Sequence, residues 1–163
     1  MNVEGLLSLL QKNARMEVKD LAMALSESED NVVDTMKQLE KDNVICGYHT
    51  VINYDRFNHD HVQALIQVNA TPERDYGYER IARKIYRYPE VDSMYLVSGA
   101  FDFMLVIKGR TMLETAKFVA SKLATIEGVT GTSTYFVLEE YKNNGIVLVD
   151  QEEGKNERLV VTP

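Results

Sequence analysis

The apolar residues of this chain first change their spacing just after Asn43, and the change divides the sequence into two folding problems. Before it, Leu6, Leu7, Leu9 and Leu10, then Leu21, Ala22 and Leu25, then Val32, Val33, Met36 and Leu39 recur at helical intervals. Three short helices are expected. The second should begin at Val18 or Lys19, and Ser26 to Ser28 should link it to the third. Ser28 is a good N-cap, because its hydroxyl accepts from a backbone N–H that a helix start leaves unpaired. Glu29, Asp30 and Asn31 then place acidic and polar groups at the positive end of that helix.

Beyond Asn43 the pattern is extended. Val44-Ile45 and Tyr48-His49-Thr50-Val51-Ile52-Asn53 are rich in β-branched and aromatic residues and predict the wing or linker strand of a winged helix-turn-helix. Cys46, between Ile45 and Gly47, is expected to be inert packing. Asp55 to His61 interrupts the apolar pattern and reads as a hinge. From Val62 to Ala70 the residues alternate, with Val62, Ala64, Ile66 and Val68 on one face and Gln63, Gln67 and Asn69 on the other. Tyr78, Ile81, Ala82 and Ile85 share a helical face. Two strands follow, one ending at Ser98 and one running from Asp102 to Lys108. A second helix from Met112 to Ile126 should bury Leu113, Ala116, Ala120 and Leu123, and a last strand runs from Thr130 to Leu138.

The order βαββαβ predicts an antiparallel, ferredoxin-like sheet with both helices on one face. The fold class is therefore α+β, with a winged helix-turn-helix at 1–54, a hinge at 55–61, the βαββαβ domain at 62–141 and a tail at 142–163. Leu65, Tyr95, Val97, Met104, Val106 and Val137 would leave the other sheet face too apolar for water, so dimerisation through it is expected. In the tail, Ile146-Val147-Leu148-Val149 and Leu159-Val160-Val161 fit either added hairpin strands or loose chain.

The segment Leu96-Val97-Ser98-Gly99-Ala100-Phe101-Asp102-Phe103 joins the two middle strands. Gly99 tolerates the positive φ of a tight hairpin turn, and the turn puts Asp102 at the mouth of a strand, where a carboxylate can meet a small cation. The plainer alternative is that Gly99 serves the turn and Asp102 caps it.

Composition narrows the partners. A net charge of −7 argues against indiscriminate polyanion binding, which depends on basic groups displacing counterions. No apolar run is long enough to span a bilayer, the amino terminus lacks a basic signal region, and a single cysteine forms no intrachain bridge, so a cytoplasmic protein is expected. His59 and His61 sit close together but define no complete coordination set, so no metal is expected. No Gly-rich phosphate loop or nucleophile motif occurs, and neither a cofactor nor catalysis is expected.

Four strings carry a family resemblance: Leu10-Gln11-Lys12-Asn13-Ala14-Arg15, Leu39 through Tyr48, Leu96 through Phe103, and Thr134-Tyr135-Phe136-Val137-Leu138-Glu139-Glu140. In their order and spacing the chain resembles the Lrp/AsnC, or feast/famine, transcription regulators over nearly its whole length. The resemblance implies a winged helix-turn-helix that binds promoter DNA and an effector domain that binds an amino acid. It also implies a homodimer and, in many members, a tetramer of dimers.

On that basis the third helix is the reading head, with Ser28, Asn31, Thr35, Lys37, Gln38 and Lys41 as DNA-binding candidates. Thr35 and Gln38 stand where relatives commonly carry arginine. From Glu29 to Asp42 five acidic residues face two lysines. A carboxylate about 7 Å from a phosphate costs roughly 0.6 kcal/mol even in water. Asn31, Thr35 and Gln38 can still hydrogen-bond base edges. The resemblance also implies an effector site at Ser98, Gly99, Ala100 and Asp102, with Thr132, Thr134 and Tyr135 from the last strand. There Asp102 would hold the α-ammonium and the backbone N–H groups near Gly99 and Ala100 the carboxylate. Two functions remain in view: an amino-acid-responsive DNA-binding regulator, and an oligomeric amino-acid sensor with weakened or lost DNA recognition.

Overall fold

The computed structural model describes residues 1–57 and 61–149 and divides into one compact unit, Met1–Val51, and a second that begins at Ile52. His59 and the tail run Leu159-Val160-Val161 lie outside the described residues.

The first unit is three helices, α1 (Val3–Lys12), α2 (Val18–Leu25) and α3 (Glu29–Lys41). Their three-and-four spacing turns Leu6, Leu10, Leu21, Ala22 and Val32 into one buried cluster, flanked by Met36, Leu39 and Ile45. Ser26 ends α2 in the left-handed region (φ 56°), and the Ser28 hydroxyl accepts from the Asn31 N–H at 3.2 Å to start α3. This is the expected helix-turn-helix.

The segment after α3 differs from expectation. Residues 44–45 and 48–53 form no strand among the described residues. A strand needs a partner edge, and the unit offers none. The chain is instead tied back to α3: the N–H groups of Val44 and Ile45 both donate to the Leu39 carbonyl at 2.9 and 3.1 Å, and the Tyr48 hydroxyl donates to Glu40 at 2.9 Å. Cys46 is exposed rather than packed, its thiol donating to the Asn43 carbonyl at 3.1 Å.

In the second unit the hinge segment contains a short helix, α4 (Tyr54–Phe57), and the Tyr54 ring stacks on His61 with centroids 4.0 Å apart. Then come β1 (Val62–Ala70), α5 (Glu79–Ile85), β2 (Val91–Leu96), β3 (Phe103–Gly109), α6 (Met112–Phe118) and β4 (Val129–Phe136). The strands pair antiparallel in the order β2-β3-β1-β4. Ala64, Ile66 and Val68 pair with Ile107, Leu105 and Phe103, and that face receives Ile81 and Ile85 of α5 and Phe118, Val119 and Leu123. Both helices therefore cover one face, as βαββαβ requires. On the other face Leu65 lies opposite Val106 and Tyr135, and Met104 opposite Gln67 and Tyr95.

The second long helix departs from its expected face. Leu113, Ala116 and Ala120 are exposed, while Thr115, Phe118, Val119, Leu123 and Ile126 are buried. After Phe118 the helix widens into a π turn over Val119–Leu123. Ser121 and Thr125 hydroxyls donate to the Lys117 and Ser121 carbonyls at 2.6 and 3.0 Å, the kind of back-bonding that bends helices. Phe118 meets Tyr88 edge to face, 5.4 Å between centroids, which sets the face presented to the sheet. Past β4, β5 (Lys142–Asn143) and β6 (Ile146–Val147) form a minimal hairpin turned by Asn144 and Gly145, at φ 46° and 84°.

Candidate functional site

The connection between β2 and β3 is wider than a two-residue turn. β2 ends at Leu96 and β3 begins at Phe103, leaving Val97 to Asp102 outside the strands. Gly99 has φ 153° with open space where a Cβ would stand, far from the φ near 57° of a tight turn. The loop is closed at its base by the Val97 N–H, which donates to the Asp102 carbonyl at 2.9 Å. Between those two residues, Ser98, Gly99 and Ala100 are exposed, and their N–H groups and that of Phe101 have no hydrogen-bond partner among the described residues.

Asp102 is bound on every polar group. Its N–H donates to the Val68 carbonyl at 3.1 Å, and its carboxylate accepts from the Ala70 N–H at 2.8 Å and the Tyr78 hydroxyl at 2.6 Å. The Ala70 and Tyr78 bonds hold its carboxyl below the usual carboxylate range. The Asp102 carboxylate in turn pushes the Tyr78 phenol up.

The remaining effector candidates are not gathered here. Thr132 and Thr134 lie opposite Val68 and Ile66 and so share the helix-covered face, whereas Tyr135 lies opposite Leu65 on the other face, its hydroxyl 3.5 Å from Gln67. Tyr78 was absent from the sequence-derived set. Its signal was an aromatic residue with a polar tip at the head of a helix, which periodicity counts only as apolar.

On α3 three of the DNA-binding candidates are engaged within the unit. The Asn31 amide donates to Glu27 at 2.6 Å, the Thr35 hydroxyl to the Asn31 carbonyl at 2.8 Å, and the Gln38 amide to Asp42 at 2.9 Å. Ser28 serves as the N-cap. Lys37 and Lys41 are exposed, one turn apart, and form no ion pair among the described residues.

Residues 63–147 match the model of the Lrp/AsnC ligand binding domain. Over 159 residues the chain is 36% identical to the uncharacterized HTH-type transcriptional regulator YugG of Bacillus subtilis, covering 97% of this chain and 95% of the relative. The chain belongs to the Lrp/AsnC family. Like its Lrp/AsnC relatives it is a ligand-responsive transcriptional regulator. The leucine-responsive regulatory protein of Haemophilus influenzae is 27% identical over 144 residues, 88% of this chain and 86% of that one. Among solved structures, the regulator NMB0573 of Neisseria meningitidis in complex with L-Met is 27% identical, with a TM-score of 0.68 over 85% of this chain and 89% of that one. Within this Lrp/AsnC chain the matched segment contains the whole four-stranded sheet except Val62, together with the β2–β3 loop.

Among the described residues no helix is long and apolar enough to cross a membrane, and no group of three or more His, Cys, Asp or Glu residues could hold a metal.

Proposed function

We propose that this Lrp/AsnC chain binds promoter DNA through the exposed side of α3 and changes its assembly or DNA affinity when an amino acid binds at the β2–β3 loop. The observation that carries the second half is the row of unbonded N–H groups from Ser98 to Phe101 between two hydrogen-bonded ends. Neighbouring backbone N–H groups left without a partner are donors that a ligand carboxylate can satisfy. The relative solved with L-Met supports an amino acid as the class of ligand. Lys37 and Lys41 supply the phosphate contacts, and the apolar sheet face around Leu65, Met104 and Val106 supplies the surface of a homodimer, the unit from which a tetramer of dimers is built. The protein acts in the cytoplasm and without catalysis.

A second reading, a sensor that has lost DNA recognition, is favoured by one observation. Asn31, Thr35 and Gln38 spend hydrogen-bonding groups within their own unit, in a helix where acids outnumber lysines. Gel-shift titration with the native upstream region, at low and physiological salt and with each of the twenty amino acids, separates the two. Retardation that weakens with salt supports the regulator. Unretarded DNA under every condition leaves the sensor. Thermal-shift titration with the same amino acids tests the ligand, since one that binds only the native state raises the midpoint.

A further inference from the structure

We propose that Asp102 and Tyr78 form a latch that positions the β2–β3 loop for its ligand, Asp102 acting as a positioning residue rather than as the receptor of the ligand's ammonium. The proposal rests on the reading of that loop as the effector site. It follows from where the four polar groups of Asp102 go. The N–H and carbonyl fix the base of the loop to Val68 and Val97, and the two carboxylate oxygens reach Ala70, at the end of β1, and Tyr78, immediately before α5. One residue thus joins the loop to a strand end and to a helix head.

Tyr78 is itself braced. Its ring meets Phe103, the residue after Asp102, edge to face at 5.4 Å. The loop leading to it is closed by Glu73 and Gly77, which exchange two backbone hydrogen bonds of 2.8 Å. Arg80 pins the same loop from α5, with its guanidinium 3.1 Å from Glu73 and 3.8 Å above the Tyr76 ring. Each Asp102 carboxylate oxygen already accepts one bond from the frame, so the side chain is oriented toward Ala70 and Tyr78 before any ligand arrives. The same two bonds hold the carboxyl below the usual carboxylate range, so at neutral pH both are charge-assisted. On this proposal the unbonded N–H groups from Ser98 to Phe101 are held for the ligand by a residue whose own bonds go to the frame.

The test uses the full chain and three variants. Tyr78→Phe keeps the ring and removes only the hydroxyl, Asp102→Asn keeps the shape and removes the charge, and the third combines them. Amide hydrogen exchange, with no ligand present, should become faster in Tyr78→Phe at Ala70, Val97 and Asp102, whose N–H groups are bonded in the latch; unchanged exchange overturns the latch. Each of the twenty amino acids, L-methionine first, is titrated by thermal shift beside the corresponding carboxylic acid lacking the amino group.

For any amino acid that stabilises the parent protein, Tyr78→Phe should bind about five- to tenfold more weakly. The double variant should be no weaker than Asp102→Asn, since both act on one linkage. The amino acid and its deaminated analogue should lose the same factor. If Asp102→Asn weakens only the compound with an ammonium, or Tyr78→Phe binds like the parent, the proposal is overturned. If no amino acid stabilises the parent protein while exchange still quickens in Tyr78→Phe, the amino-acid reading fails and the latch stands.

Discussion

Asp102 is where charge, backbone and side chain converge, and its acid–base behaviour has a definite sign. The Ala70 N–H and the Tyr78 hydroxyl place its folded pKa below the unfolded value. The bonded carboxylate therefore contributes stability above the ordinary carboxylate range, and that contribution fades as pH falls through the lowered folded value. Glu90, lowered chiefly by its bond to Lys122, adds to the same window. Denaturation midpoints should fall on acidification below about pH 4, and Asp102→Asn should flatten that fall. A second prediction concerns Gly128, whose φ is 91° and where an added Cβ would lie 2.7 Å from the Ile81 side chain. Gly128→Ala should cost about 1–3 kcal/mol in urea unfolding, from backbone strain and from overpacking. Asp102 was legible in the sequence as a residue of interest, because it ends a glycine-containing join between two apolar runs. Its partner was not, since Tyr78 is 24 positions away and nothing in linear spacing announces that a helix head will meet a hairpin base.

Among the elements, the first three helices and the four sheet strands were read where they form, whereas the segment after α3 and the inward stripe of the second long helix were not. Ser28 was identified as a cap from its chemistry alone, and Ser28→Ala should lower the stability of the first unit by about 0.5–2 kcal/mol in denaturant titration. Val44 to Asn53 has the composition of a strand, but composition cannot supply an edge to pair with. Along the second long helix, counting by 3.6 placed Leu113, Ala116 and Ala120 inward, whereas the π turn and the Phe118–Tyr88 contact select another stripe. Leu123 is common to both stripes and fully buried, so Leu123→Ala should cost about 2–5 kcal/mol. For the tail the sequence left hairpin strands or loose chain open at Ile146 to Val149, and the structure pairs Ile146–Val147 with Lys142–Asn143 across Asn144-Gly145, a turn signal in its own right.

Across the whole molecule, the division into a helical unit and a sheet unit was legible because the two obey different apolar periods. What the sheet's bare face meets was legible only as a need. Leu65 is half-buried and faces Val106 and Tyr135, and Leu65→Lys should shift sedimentation toward the single chain while leaving the circular dichroism of the monomer intact. On α3, Lys37→Ala and Lys41→Ala should each weaken DNA binding across all sequences alike, and each should reduce the dependence of log affinity on log salt by about one. The effector candidates Thr132, Thr134 and Tyr135 came from the family resemblance, and alternation along β4 puts the two threonines and Tyr135 on opposite sides of the sheet. The β2–β3 loop carries a different kind of lesson. Its fastening ends at Val97 and Asp102, so the N–H groups of the four residues between them are left over by the fold. Exchanging the exposed side chains of Ser98 and Ala100 would thus retune which molecule is accepted without breaking a single bond of the scaffold beneath.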